Sequence, residues 1–307
     1  MSTFTTSPAL TDQGFALHSS RPSFFGLVRG EIFKAVRQWT PWIALVLMLG
    51  IIFLPFLIFF TTSGLKTMML SASHDYFYER AATGFALLRA FGGIALLVIT
   101  ARIIGQEYSL GTIRVVLARG VGRVQLLLAK MTAAAVLALA LVAIGLLEIA
   151  LLAGAQLLII AGTLNPLTSL PASAWHDLGL YVLTILISMG ATLLMTTAVS
   201  VLFRSLAGAL SASLIWFPID NMLVQMFRLM AELTKNDFWL KVTAYLLGPN
   251  LNAMAGVFAN RESSIWRFGF NPLEVVDGTH TLVVVLVYAL LFAAVAVVFT
   301  WKRDVKE

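Results

Sequence analysis

Few residues in this 307-residue chain have the types and spacing that chemistry needs, and most of those fall in one stretch between two apolar runs. It reads Gly105-Gln-Glu-Tyr-Ser-Leu-Gly-Thr-Ile-Arg-Val-Val-Leu-Ala-Arg-Gly-Val-Gly-Arg123 and offers one carboxylate, Glu107, and three guanidinium groups, Arg114, Arg119 and Arg123, with Lys130 just beyond. Ser109 and Gly111 are turn residues, Thr112–Ala118 is spaced for two short helical turns with Ile113 and Leu117 on one face, and Arg119-Gly120 breaks the run. No catalytic constellation accompanies these charges. What they can do is recognise a partner: a short basic helix held between two long segments can pass force from a soluble protein to whatever those segments form. An ordinary basic loop beside a membrane would have the same composition.

Other candidates sit inside apolar runs, where a charge is costly and needs a partner or a purpose. Arg89 and Glu148 would lie at similar depth in adjacent antiparallel helices, so an ion pair is expected, with a place in a substrate path as the alternative. Asp220 and Asn221 follow Trp216 and Pro218. The proline should kink its helix and free a carbonyl, making a polar spot where a cavity can form or local structure can use it. Met222, Met226 and Met230 read as a packing stripe rather than a soft-metal site. His18, His74, His176 and His280 are scattered, and there is no His-Glu-x-x-His or Gly-x-Ser-x-Gly motif. With no cysteine, a disulfide or thiolate metal site is excluded. Neither an enzyme nor a metal site is expected.

The elements that must position these residues are membrane spans. Hydrophobic residues make up 59% of the chain and charged residues 12%, and the mean hydropathy is +0.90; a soluble domain is nearer half apolar and about one quarter charged. Six spans are predicted, at 42–62, 85–104, 125–150, 178–203, 206–227 and 279–301, giving an all-α polytopic membrane domain over 42–303. From Gln125 to Ala161 the only charges are Lys130 and Glu148. With no polar turn to divide it, this stretch should be one long span running on into an outer-leaflet segment near Gly154.

Charge placement orients the set. With both termini cytoplasmic, 13 of the 21 Lys and Arg fall on the inner side: Arg21, Arg29, Lys34 and Arg37, then Arg102, Arg114, Arg119, Arg123 and Lys130 in and beside the loop at 105–124, then Arg204, and Lys302, Arg303 and Lys306 at the tail. The net charge of +6 is thereby explained without nucleic acid. Residues 1–22 are expected to be a disordered cytoplasmic arm, with no cleavable leader evident. Residues 23–41 should form an amphipathic helix at the cytoplasmic interface. Phe25, Val28, Ile32, Val36 and Trp39 share its apolar face, Glu31, Lys34 and Arg37 are among its polar residues, and Pro41 should mark the break into span one. The external region at 228–278 is too apolar for a plain loop. Its parts 238–247 and 251–258 are predicted as short helices that dip into or cover the outer leaflet.

The 105–123 stretch resembles the membrane subunit of ABC type-2 transporters. Those permeases carry an acidic residue before Gly-Thr, an apolar run, an Arg beside a small residue or proline, and a further basic residue opening the third span. The matching positions are Glu107, Gly111, Thr112, Arg114, Arg119, Gly120 and Arg123. Phe24–Trp42 is similar to the family's interfacial helix, Leu202-Phe-Arg-Ser205 to its tight inner turn, and Leu246-Leu-Gly-Pro-Asn250 to the external segment before span six. Many members have proline where this chain has Gly120. The resemblance implies an ATP-driven exporter half in a prokaryotic plasma or inner membrane. Its coupling helix would be the Glu107–Arg123 loop, and its translocation path would lie between two permease copies, alike or different. The chain has no Gly-x-x-x-x-Gly-Lys-Ser/Thr loop, so ATP and magnesium would belong to a separate ATPase subunit. A membrane anchor that recruits a cytoplasmic partner, or less readily an ion-driven transporter, would share much of this pattern.

Overall fold

A computed structural model describes residues 23–61, 67, 71–118, 120–260, 265–267 and 269–302. The predicted arm at 1–22 and tail at 304–307 lie outside them. Among the described residues the chain is predominantly helical and no strand forms. Six helices are long and apolar enough to cross a membrane. They are α2 (Trp39–Thr61), α3 (Ser73–Ser109), α5 (Arg123–Ala161), α7 (Ala172–Phe203), α8 (Leu206–Thr234) and α11 (Gly278–Lys302). Shorter helices join them: α1 (Phe24–Val36), α4 (Thr112–Ala118), α6 (Asn165–Thr168), α9 (Phe238–Val242) with a 3-10 turn at Thr243–Tyr245, and α10 (Leu247–Phe258).

Several helices outrun their predicted limits. α3 begins at Ser73 rather than near 85. Asp75, Glu79 and Arg80 lower the hydropathy of that first stretch without opposing helix, since Glu and Arg are good helix formers, and Tyr76, Phe77, Tyr78, Ala81 and Ala82 are buried along it. α5 runs unbroken through Gly154 and stops only at Gly162, whose φ of 67° gives the left-handed end that glycine adopts without cost. At ~1.5 Å per residue these two helices are about 55 and 58 Å long, nearly twice the ~30 Å hydrocarbon layer. Between α1 and α2 the break falls at Arg37–Gln38, not at Pro41. Pro41 is in the first turn of α2, where its missing N–H would have had no helical partner.

α3 and α7 form the centre. About two thirds of the apolar part of α3 is buried and 56% of that of α7, against 22–28% for the other four long helices. α3 packs on α7, α5, α2 and α8, and α7 also packs on α11, α8 and α10. Leu88, Leu96, Leu97, Tyr181 and Ile185 are fully buried between these helices. Small residues set the α3–α5 spacing. Leu88 packs onto Gly145, and Ile149 packs onto Gly84, so closely that a Cβ at either glycine would collide with the facing side chain. At the opposite end from α4, Trp266 is buried between Tyr78 and Tyr181, with ring centroids 5.2 and 5.0 Å away.

Candidate functional site

The 105–123 stretch departs from expectation at its start, since α3 runs on to Ser109 rather than ending near Ile104, while Thr112–Ala118 forms the short helix α4. α3 stops where Leu110 N–H bonds the Gln106 carbonyl. Gly111 and Gly120, at φ 66° and 82°, make the two reversals that set α4 apart from its neighbours. Ile113 and Leu117 point into the bundle, where they line a small cavity of about 30 Å³ with Tyr108, Arg123, Arg204 and Phe299. Thr112 and Val116 face a second cavity of about 310 Å³ shared with Glu31, Lys34, Gln38 and Glu107. Leu110 and Val115 remain exposed. The side chain of Arg114 and the whole of Arg119 lie outside the described residues.

A second turn is stitched to this loop. Arg204 ends α7 in a left-handed conformation, and Ser205 caps α8 by accepting from Gly208 N–H at 3.0 Å. Ser109 Oγ accepts from Leu206 N–H at 2.8 Å. Gly105 lets the α8 backbone approach, since a Cβ there would stand 3.2 Å from the Leu206 Cα.

Glu107 does not face outward with α4. It belongs to a cluster of four charges joining α1, α3 and α5. Lys130 Nζ lies 2.9 Å from Glu31 Oε2 and 3.1 Å from Glu107 Oε1, and donates to the Ile103 carbonyl at 2.8 Å. Lys34 Nζ reaches Glu107 Oε1 at 2.6 Å and Glu31 as well. Lys130 and Glu31 are buried. Burial of Lys34 opposes its charge, but the hydrogen bonds to Glu107 and Glu31 outweigh it and hold the ammonium above the usual lysine value.

That cluster rotates α1 relative to expectation. The buried face is Val28, Glu31 and Ala35, resting on Ala129 and Ala133 of α5. Phe25, Val36 and Trp39, expected on the same face as Val28, are exposed, with Trp39 at 83%. The buried Glu31–Lys130 contact, with Lys34 on Glu107 beside it, accounts for the rotation, because leaving Glu31 and Lys130 unpaired would cost more than exposing part of an apolar stripe. Arg37 lies over the Phe33 ring at 4.2 Å, and Trp42 Nε1 donates to the Val36 carbonyl at 2.8 Å, closing the end of α1.

The expected pair of Arg89 and Glu148 is not formed. Leu88 and Ile149 occupy the seam between α3 and α5, and each charged residue sits one position off it, on a different flank. Arg89 turns toward α10 and α7. It donates to the Leu251 carbonyl at 3.1 Å and to Asn252 Oδ1 at 3.0 Å, and it bonds the Tyr181 hydroxyl. Glu148 Oε2 is buried without a hydrogen-bond partner among the described residues. Asp220 and Asn221 divide between their two expected roles. Asp220 Oδ2 accepts from Gly248 N–H at the start of α10, a helix cap. Asn221 accepts from Asn252 Nδ2 at 2.6 Å and lines a cavity of about 370 Å³ bounded by α3, α7, α8 and α10.

Three residues in that cavity's wall carry signals that the sequence holds but that reading by apolar runs passes over. Ser188 and Thr192 are polar at i and i+4 within the apolar run of α7, and Asn252 interrupts the apolar run of α10. Among the described residues no group of His, Cys, Asp and Glu could hold a metal ion.

Fold and site together define an all-α polytopic membrane protein. The chain belongs to the family described as a protein of unknown function, DUF2705, whose profile matches residues 83–306. No curated protein matches it.

Proposed function

We propose that this chain is the permease subunit of an ATP-driven ABC transporter, working as an exporter and coupled to a separate ATPase through α4. The observation that carries this reading is the mounting of α4. It is a seven-residue helix slung between the ends of the two longest helices, braced from beneath by Ile113 and Leu117 and tied to α8 through Ser109. A partner pressing on Val115 or Leu110 would move α3, α5 and α8 together. The likeness of Glu107–Arg123 to the coupling segment of type-2 permeases supports the same assignment, with Glu107 bracing the loop from inside rather than touching the partner. Both termini and α4 then face the cytoplasm, as the distribution of Lys and Arg favours. α1 lies at the inner interface, where exposed Phe25, Phe33 and Trp39 meet lipid.

The test is reconstitution with a phosphate-loop ATPase, sought first in the reading frames adjacent to this one. Val115→Asp and Arg114→Ala are expected to abolish stimulated ATP turnover and co-purification of the two subunits while leaving the permease folded. If both variants still bind and stimulate the ATPase, α4 is not the coupling element.

A further inference from the structure

We propose that the seam between α3, α7 and α8 is an aqueous path through a single chain, a file of uncharged hydroxyls leading from the cavity of about 370 Å³ toward α4. Its members are Ser188, Thr192 and Thr196 of α7, Thr100 of α3 and Ser213 of α8. The first three recur at i, i+4 and i+8 and so share one face of their helix. Ser188 and Thr192 line the cavity. Thr196, Thr100 and Ser213 are fully buried beyond it. Helix register brings these last three to one level. α3 and α7 run in the same direction, with Phe85 against Tyr181 and a Cβ on Gly93 placed 3.9 Å from Thr192 Oγ1, so Thr100 and Thr196 lie roughly abreast. α8 runs the opposite way: a Cβ on Gly105 would meet Ala209, and Leu97 and Phe217 face the same cavity. Ser213, midway between Ala209 and Phe217, therefore falls beside Thr100.

Hydroxyls inside a helix ordinarily donate to a carbonyl about one turn back, and on α7 Thr184, Thr197 and Ser200 do so at 2.7 Å each. Ser188, Thr196, Thr100 and Ser213 do not. Each of their hydroxyl oxygens is buried with no hydrogen-bond partner among the described residues. An unmet hydroxyl in an apolar core is costly, and water that enters and bonds it removes the cost. The line continues past the buried level. Ile104, one turn beyond Thr100, is on the wall of the cavity of about 30 Å³ beneath α4, large enough for a water.

Serine and threonine alone make up the file, so an ion in it would find no opposite charge. What it suits is water and neutral groups that give and take hydrogen bonds, as hydroxyls and amides do. Such a path deepens the transport reading by lying inside one chain, apart from any passage between two copies, and it rests on that reading only for what is carried.

The experiment exploits a chain without cysteine. The full chain is reconstituted in lipid vesicles without ATPase or nucleotide, so an unreactive seam leaves the coupling assignment standing and failed coupling leaves the path standing. Thr196→Cys and Ser213→Cys are each treated with 2-aminoethyl methanethiosulfonate, which attacks only a thiolate and so reports water at the sulfur. The mixed disulfide persists, so brief openings accumulate. Both variants are expected to react about tenfold or more faster than Ala198→Cys, which is buried on another face of α7. Adding Thr100→Val, which keeps the shape and removes one hydroxyl, should slow both. Rates no higher than that of Ala198→Cys, or rates that Thr100→Val leaves unchanged, overturn the proposal. A further measurement needs no thiol and decides the matter if the cysteine variants fail to fold. In the otherwise unaltered chain, Thr100→Val is expected to lower the unfolding temperature, because a hydroxyl bonded to water is lost. An unchanged or raised temperature would show that hydroxyl to be dry, and overturns the path.

Discussion

Lys130 is the residue on which the inner end of the molecule most depends. Its ammonium sits between two carboxylates from elements 99 and 23 residues away, Glu31 and Glu107. Removing it leaves buried Glu31 and part-buried Glu107 side by side with Lys34 as the cation they still share. Lys130→Met is therefore expected to destabilise the protein by about 3–5 kcal/mol, the range for breaking a buried ion pair from one side. Adding Glu31→Gln should recover part of that loss. Thermal unfolding of the single and double variants in detergent checks this; strictly additive losses would mean that the two side chains act independently. The types of these residues were legible in the sequence, but their roles were not. Glu107 stands two residues from the turn at Ser109 and reads as part of the exposed loop, yet the helix that carries it continues to Ser109 and points it inward. Glu31 and Lys34 read as the wet face of an interfacial helix because nothing nearby in the chain reveals their contact with Lys130.

At the scale of elements, the α3–α5 crossing is the tightest contact. A leucine at Gly145 would have to displace Leu88, which is fully buried, so Gly145→Leu is expected to separate the two helices and lower the unfolding temperature, whereas Gly154→Leu, with open space around it, should be neutral. A similar loss from both substitutions would show that helix geometry rather than close approach is what glycine supplies. The existence and kind of every long helix could be read from runs of apolar residues, because lipid demands that each spanning segment satisfy its own backbone. Helix ends were harder. Hydropathy clipped the start of α3 at its polar residues, and Pro41 suggested a break that capping by Trp42 and the α1 cluster placed earlier. Asp220 shows a different difficulty. A carboxylate in an apolar helix points to function by default, and only the start of α10, brought to it from 28 residues away, reveals a cap.

At the scale of the whole molecule, six spans, a mounted loop and a polar cavity make one arrangement with two ends. The chain holds no cysteine, so single introduced thiols report orientation cleanly. Val115→Cys is expected to react with a membrane-impermeant maleimide only from the cytoplasmic side. Val275→Cys, 98% exposed at the other end, should react only from outside; labelling of both from one face would overturn the proposed orientation. The cavity itself could not have been assembled from the sequence, since Arg89, Ser188, Asn221 and Asn252 come from four helices and meet only through packing. The length of α5 has a mechanical meaning as well. Gly145, where it crosses α3, lies about 33 Å along the axis from Arg123. A rod pinned there is a lever with a long inner arm, and a tilt of about ten degrees sweeps its inner end through about 6 Å, roughly one helical turn. A small swivel at a glycine in mid-bundle and a full-turn stroke beneath α4 are thus the same motion, geared by the length of a single helix.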